Sequence, residues 1–192
     1  MKKICFKKDS IKGYNKHNIY IEKGVKISKG TIVWSGNIVL GQSELIECEL
    51  LPNNHIDNAI IRKGSVIGPF ARIRPRTEIK ENCKIGNFVE IKNSVVGSST
   101  KISHLTYVGD ADIGKNCNLG CGSVFCNYDG NQKHKCKVGD NVFIGSNANL
   151  IAPLEIGNNC MVASGTVVTE NMQDNTFAIG RVKQENRRNK RI

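Results

Sequence analysis

A six-residue period of bulky apolar residues constrains this sequence more than any other feature. From Ile61 onward such a residue recurs every six positions, with two steps of five and one longer gap. An α-helix would repeat its apolar residues about every 3.6 positions, and an antiparallel sandwich has turns roughly every 8–12 residues, so neither fits. The period is that of hexapeptide β-helix repeats. Its members are Ile61, Ile67, Ile73, Ile79, Ile85, Ile91, Val96, Ile102, Val108, Ile113, Leu119, Phe125, Val138, Ile144, Leu150, Ile156, Val162 and Val168.

This period predicts an all-β fold, a parallel β-helix of triangular cross-section. Each hexapeptide supplies one short strand and one turn, with its aliphatic residue pointing inward, and the Gly that often follows permits the corner. Three hexapeptides close one coil, so residues about eighteen positions apart stack on neighbouring strands, roughly 4.8 Å apart. A single coil cannot bury its own core, so stability depends on stacking.

The same pattern divides the chain into three parts. These are an N-terminal segment of residues 1–24, the β-helix of residues 25–181 and a basic C-terminal tail of residues 182–192. Within the β-helix, the long gap in the period covers residues 126–137 and contains an Asp-Gly pair, which is typical of a turn. We therefore expect a loop that protrudes from one corner, and such loops on repeat scaffolds often carry function.

The two ends of the repeat are weaker. The elements at Ile27, Val33 and Ile38 are broken, and the phase is lost at about residues 44–55, which predicts irregular first coils. We expect the repeat to stop after Thr169 and the basic tail to be mobile.

Composition limits the partners and the compartment. A net charge of +11 favours an anionic partner. The basic residues are scattered and lack interleaved aromatic residues, so we expect small anionic molecules rather than nucleic acid. No apolar run reaches membrane-spanning length, and none follows the basic residues 1–3, so we expect no membrane partner, no signal peptide and a cytoplasmic location. The eight Cys form no CxxC pair and are expected to be reduced, with several filling the core.

Stacking arithmetic places His104 in an ordered column. Residues two positions after the anchors of one face should stack as Asn87, His104, Cys121, Ser146 and Ser164, and three coils separate His104 from Ser164, or roughly 14 Å. Imidazole changes charge near neutral pH and is the default general base for an amine. A purely structural His is the alternative.

On a second face Arg74 and Lys92 should stack one coil apart. Two neighbouring cations repel unless an anion lies between them, which suggests a phosphate or carboxylate site. The alternative is a pair of solvated charges on an outer face.

Four segments in order resemble the acetyltransferase domain of the bacterial bifunctional enzyme GlmU. They are residues 67–75 (IGPFARIRP), 86–92 (GNFVEIK), 104–111 (HLTYVGDA) and 126–130 (CNYDG). The resemblance implies a left-handed parallel β-helix that forms a homotrimer with active sites between subunits. It also implies acetyl transfer from acetyl-CoA to the amine of glucosamine 1-phosphate, a step towards UDP-N-acetylglucosamine and cell-wall precursors. No metal is implied.

Residue roles follow from the same resemblance. His104 matches the general base and Asn127 a residue of the reacting centre. Direct transfer would follow, with His104 taking the amine proton and a backbone N–H near Cys121 stabilising the oxyanion. The sugar-phosphate ligands are matched by Arg74, Lys92, Tyr107, Asn118 and Lys133, and the acetyl-CoA contacts by Cys121, Tyr128, Ser146, Ser164 and Arg181.

Several positions depart from the family pattern. Cys121 and Ser164 stand where the family has Ala, Arg76 where it has Gly, and Gly180 where it has Ser. The nucleotide-binding motifs of the uridyltransferase domain are absent from this sequence, so we expect no uridyltransferase activity. The Arg76 difference favours, as an alternative, an acetyl-CoA-dependent enzyme that acts on another amino sugar or a sugar nucleotide.

The same residues also bear on three other classes of protein. A γ-type carbonic anhydrase shares the fold but needs three zinc-binding His per site, whereas only His104 of the four His lies in a regular coil. The Cys spacing does not match a zinc site. A trimeric scaffold without chemistry remains an alternative, against which stands the joint presence of His104, Asn127, Tyr128, Lys133 and Arg181.

Overall fold

The computed structural model describes residues 18–189, which form a parallel β-helix of 26 short strands without an α-helix. Residues 1–17, and with them most of the predicted N-terminal segment, lie outside the described range, as do residues 190–192. The strands, numbered along the chain, are β1 (Tyr20–Ile21), β2 (Lys26–Ile27), β3 (Ile32–Val33), β4 (Ile38–Leu40), β5 (Glu44–Leu45), β6 (Glu49–Leu50), β7 (His55–Asp57), β8 (Ala59–Ile61), β9 (Val66–Ile67), β10 (Arg72–Ile73), β11 (Thr77–Ile79), β12 (Lys84–Asn87), β13 (Glu90–Lys92), β14 (Val95–Val96), β15 (Lys101–His104), β16 (Tyr107–Gly109), β17 (Ala111–Ile113), β18 (Asn118–Leu119), β19 (Val124–Cys126), β20 (Cys136–Val138), β21 (Phe143–Ile144), β22 (Asn149–Ile151), β23 (Leu154–Ile156), β24 (Met161–Val162), β25 (Val167–Val168) and β26 (Phe177–Ala178).

Every strand pairs in parallel with the strand three further along the chain, apart from the last pair, in which β24 neighbours β26. The result is three sheets. Sheet A runs β1-β4-β7-β10-β13-β16-β19-β22-β25, sheet B runs β2-β5-β8-β11-β14-β17-β20-β23, and sheet C runs β3-β6-β9-β12-β15-β18-β21-β24-β26. Ile85 lies in register with Ile67 on one side and Ile102 on the other. The predicted stacking and fold are confirmed, and the topology is consistent with the left-handed form.

The core is a column of aliphatic side chains along the prism axis. All eighteen members of the six-residue period are at most 5 % exposed. Each buried side chain of this kind stabilises the fold by roughly 1.5–3 kcal/mol relative to an exposed one. Within residues 18–189, every buried side-chain nitrogen and oxygen has a hydrogen-bond partner.

The glycines that follow the anchors have a different role from the predicted one. Gly145 does not have a positive φ, but a Cβ there would lie 2.4 Å from the backbone nitrogen of Ser164 in the next coil. Close approach of stacked coils therefore requires Gly at such positions. Many corners are instead made by Asn in the left-handed region, as at Asn116 and Asn141 with φ of 56° and 57°. Asn tolerates that conformation better than most residues.

The prediction of irregular first coils is wrong. Val39, not Ile38, points into the core, and the buried series continues through Leu45, Leu50 and Ile56 to the main repeat. Neighbouring residues of a strand face opposite sides, so only one of two adjacent aliphatic residues can be the anchor. Two further steps of five residues, from Leu45 and from Ile56, shift the phase without breaking the coil.

The repeat also continues beyond Thr169, contrary to the prediction. Met172 bridges to Ile156, and β26 extends sheet C by pairing with β24. Residues 181–189 have no secondary structure and are exposed. The predicted loop is confirmed between β19 and β20.

Residues 18–189 contain no helix that is long and apolar enough to cross a membrane. The seven Cys between residues 18 and 189 are free thiols, and five of them are buried, as predicted for core-filling side chains.

Candidate active site

His104 ends β15 at a corner of the prism and is exposed. It lies in register with Asn87 on β12, and its Nδ1 is 3.1 Å from Asn87 Oδ1. An amide oxygen only accepts, so Nδ1 carries the hydrogen and Nε2 keeps a free lone pair. The predicted column therefore orients His104 with its basic nitrogen available.

The column continues along sheet C to Cys121, Ser146 and Ser164. At its far end the Arg181 guanidinium donates to the Ser164 carbonyl oxygen at 2.7 Å. The backbone N–H of Cys121 sits in a turn and has no acceptor within residues 18–189. A free N–H one coil from an imidazole can donate to a developing oxyanion.

A second group of polar side chains gathers at the corner between sheets A and B. Lys92 Nζ lies 3.6 Å from Asp110 Oδ2, and both side chains are only 12 % exposed. The amides of Asn93 and Asn127 donate to the two oxygens of Asp110. Although burial opposes the charge, these hydrogen bonds and the nearby ammonium groups of Lys92 and Lys133 hold the pKa of Asp110 below its usual value.

Lys133 reaches this corner from the protruding loop. The neighbouring Lys92 ammonium group, through its proximity and its like charge, lowers the pKa of Lys133. Two ammonium groups beside one carboxylate leave an excess of positive charge, which is the environment that a phosphate binds.

Arg74 and Lys92 follow paired anchors one coil apart, as predicted, because Ile73 and Ile91 are in register. Arg74 Nη1 donates to Glu90 Oε1 at 2.8 Å, while Lys92 pairs with Asp110. Each cation thus has its own carboxylate, so their stacking does not by itself require a bridging anion. Lys92 is nevertheless largely buried, unlike a solvated surface charge.

The loop that carries Asn127 and Lys133 is held by its own contacts. His134 Nε2 lies 2.6 Å from Asp129 Oδ2, and the His134 backbone N–H donates to the Asn127 carbonyl at 2.8 Å. Backbone N–H donors from Gln132 and Asn131, together with His134, lower the pKa of Asp129 to about 2.

A single chain does not bring all predicted site residues together. Lys92, Asn127 and Lys133 form one cluster, and electrostatic contact joins Tyr107 to Lys133. The column of His104 lies on another sheet. On that sheet His104 is at the C-terminal end of its strand, whereas Asn118 is at the N-terminal end of β18. Tyr128 is exposed in the loop, and its hydroxyl donates to the Gly130 carbonyl.

Sequence reasoning missed Asp110 and Asn93. Both directly follow residues of the Lys92 column and share one corner, so the stacking arithmetic could have placed them beside Lys92. Arg76 lines the same groove of about 330 Å³ as Asn93, Asp110 and Lys133. Within residues 18–189 no three His, Cys, Asp or Glu side chains are grouped for a metal ion.

The fold and the repeat are those of hexapeptide-repeat proteins, and the comparisons with known proteins place the chain among their acyltransferases. Residues 135–170 match the family model of the bacterial transferase hexapeptide with six repeats. Residues 55–127 match the model of the GMPPB C-terminal domain.

Within that class, the chain is homologous to the C-terminal acetyltransferase domain of GlmU. It is 44% identical over 186 residues to the bifunctional protein GlmU of Clostridium novyi, which covers 88% of this chain and 41% of the relative. The corresponding protein of Caldicellulosiruptor saccharolyticus is 45% identical over 188 residues, covering 89% of this chain and 41% of the relative. The chain thus spans about 41% of the length of these curated relatives.

Solved structures share the architecture. A mutant of GDP-perosamine N-acetyl transferase from Caulobacter crescentus, in complex with CoA and GDP-perosamine, is 27% identical with a TM-score of 0.55, covering 63% of this chain and 57% of that one. The Arabidopsis UDP-N-acetylglucosamine acyltransferase is 20% identical with a TM-score of 0.59, and the match covers 80% of this chain and 60% of that one. At this identity the match shows only a shared fold.

Proposed function

We propose that the protein transfers the acetyl group of acetyl-CoA to the amine of glucosamine 1-phosphate. The product, N-acetylglucosamine 1-phosphate, serves the synthesis of UDP-N-acetylglucosamine and cell-wall precursors. The observation that carries this proposal is the pairing of Lys92 and Lys133 beside Asn127, at the base of the protruding loop. Such a cationic pocket suits the phosphate of the acceptor, and the homology to GlmU supports the choice of sugar.

His104 acts as the general base. Nε2 accepts a proton from the acceptor amine as the amine nitrogen attacks the thioester carbon, and Asn87 stabilises the imidazolium through Nδ1–H. The C–N bond forms, the C–S bond breaks, and the thiolate of CoA leaves and takes up a proton. The Cys121 N–H donates to the carbonyl oxygen of the thioester as that oxygen gains charge.

The column from Cys121 to Arg181 holds acetyl-CoA. The distance along the column from His104 to Ser164, roughly 14 Å, is about the length of a pantetheine arm. The turns of the column offer backbone groups to the amides of that arm. Arg181, fixed on the Ser164 carbonyl, supplies a positive charge at the far end. The CoA bound in the GDP-perosamine N-acetyl transferase structure supports the same cofactor here.

The active sites lie between subunits of a homotrimer. His104 and the Lys92–Lys133 cluster lie on different faces of one prism, so a second copy must bring the two groups to one substrate. Sheet C also exposes a stripe of large apolar side chains beside Asn118, namely Phe143, Met161 and Phe177. An apolar stripe of this kind favours contact with another subunit.

The experiment measures CoA release from acetyl-CoA with glucosamine 1-phosphate, by chromatography so that the protein's own thiols do not count. We expect turnover that His104→Ala lowers by about 10²–10⁴-fold, the contribution of a general base. Lys133→Ala should mainly raise KM for the acceptor. Binding of acetyl-CoA by a trimer that turns over no amino sugar would refute the enzyme and favour a scaffold.

A second candidate acceptor is an amino sugar linked to a nucleoside diphosphate. Arg76 lines the groove beside Lys133, and no ion pair of Arg76 exists within residues 18–189. Its guanidinium could take a second phosphate, and the GDP-perosamine complex shows a relative with such a substrate. Arg76→Gly distinguishes the acceptors. The variant should lose activity on nucleotide-linked sugars if these are the substrates, and keep activity on glucosamine 1-phosphate otherwise.

A further inference from the structure

Asp110 occupies a corner column that elsewhere carries no acid. The stacked positions are Asn58, Arg76, Asn93 and Asp110. The backbone N–H of each donates to a carbonyl oxygen of the preceding coil, and all four have φ between 45° and 62°. Asn is suited to that conformation and fills two of these corners. The corner geometry is therefore satisfied by an amide, and it does not explain a carboxylate in the coil beside Lys92 and Lys133.

The Asp110 carboxylate accepts two hydrogen bonds and forms one ion pair. Oδ2 accepts from the amide of Asn127 in the loop and faces Lys92 Nζ on β13 at 3.6 Å. Oδ1 accepts from Asn93, which follows β13. An ionised carboxylate has no hydrogen to donate, so all these donors converge on it without conflict. With its NH₂ held by Asp110, Asn127 directs its carbonyl oxygen away from the carboxylate as an acceptor.

The same carboxylate offsets the repulsion between the two lysines. Lys92, Asp110 and Tyr107 act on the charge of Lys133, and the groove around it also holds the charged or titratable groups of Arg76, Asp112, His134 and Lys135. The negative charge of Asp110 raises the pKa of Lys133 against the effect of Lys92. Removing that charge would leave Lys92 and Lys133 beside each other without an acid. The ammonium group of Lys133 would then lose its proton at lower pH.

We propose that Asp110 is a positioning residue, which orients Asn127 at the reacting centre and keeps Lys92 and Lys133 together for the acceptor phosphate. This role rests on the proposed acetyl transfer. In this role Asp110 does not contact the substrate. It acts through the side chains of Asn127, Lys92 and Lys133.

Asp110→Asn tests the role because it removes the charge and one acceptor while keeping the shape of the side chain, and it suits the corner. One amide hydrogen of the new side chain must then face a donor, either Asn93, Asn127 or Lys92. We expect kcat to fall by about 100-fold, the size of effect that a displacement of about 1 Å produces, with KM for acetyl-CoA unchanged. The alkaline limb of kcat/KM for the acceptor should move to lower pH, and the melting temperature should stay near that of the wild type.

The matched control is Glu155→Gln, which removes the acid from the exposed Lys137–Glu155 pair (2.6 Å). It should leave kcat and the pH profile unchanged. A double-mutant cycle with Asn127→Ala should be non-additive, because both changes remove one interaction. Additive effects, or an unshifted alkaline limb in a folded Asp110→Asn variant, would overturn the role.

A second readout separates this proposal from the proposed function. NMR titration of ¹³C-methylated Lys133 reports its pKa without any acceptor, and Asp110→Asn should lower that pKa. If the wild type turns over no amino sugar while the Lys133 pKa falls as expected, the acetyl transfer is refuted and the electrostatic arrangement stands. If wild-type turnover is present and the pKa does not move, Asp110 has no such role.

Discussion

Asn87→Ala should slow acetyl transfer without weakening the binding of either substrate. The substitution removes the acceptor 3.1 Å from His104 Nδ1, so the ring loses the bond that fixes its tautomer and rotation. A neutral hydrogen bond contributes about 0.5–1.5 kcal/mol, which corresponds to roughly a 2- to 12-fold change in rate. The bond is charge-assisted when His104 is protonated in the transition state, so we expect the upper end of that range.

Steady-state CoA release at saturating acetyl-CoA measures this loss, with melting temperature as the check on folding. The double variant Asn87→Ala, His104→Ala should be no slower than His104→Ala alone, because Asn87 acts only through the ring. Asn87→Asp adds a carboxylate that favours the imidazolium, so it should move the acidic limb of kcat/KM to higher pH. Wild-type kcat in Asn87→Ala, with His104→Ala inactive, would refute the positioning of the base by Asn87.

Three further predictions concern the scaffold and the loop. Ile102→Ala should lower the free energy of unfolding by about 2–5 kcal/mol in denaturant titrations, because Ile102 is fully buried. Gly145→Ala should cost about 1–3 kcal/mol, since its Cβ would meet the next coil at 2.4 Å, whereas Ala163→Gly should change little. The folded pKa of Asp129 is depressed to about 2, so its stabilisation of the loop is present above its ordinary pKa of 3.8 and is lost as pH falls towards 2. Limited proteolysis of the loop should accelerate in that window.

The architecture could be predicted because its signal is one-dimensional. A β-helix repeats one local unit, so the inward-facing residues recur at a constant interval and the stacking of His104 on Asn87 follows by counting. Counting failed at Ile38, where two adjacent aliphatic residues competed for one inward position, and after Thr169, where the last coil is short. In both places packing, not period, decides which residue is buried.

The site was predictable only in part, for a related reason. Arg74 and Lys92 could be stacked from the sequence, and counting also places Asp110 in the corner beside Lys92. The ion pairs of the two cations with Glu90 and Asp110, however, depend on side-chain directions that counting does not supply. The loop could be located from the gap in the six-residue period. The position of Lys133 beside Lys92, in contrast, depends on how the loop folds over the corner.

The amino-acid sequence by itself determined the coil, its core and the column of His104, because these depend on spacing along one strand and between equal repeats. Only the tertiary structure decided the convergence of Asn93, Asn127 and the two lysines on Asp110, since those side chains come from separate elements. It also separated that cluster from His104, because the two lie on different faces of one prism. The register of the strands decides which residues stack in one column. The composition of the binding site depends instead on which side chains from different elements meet at a corner.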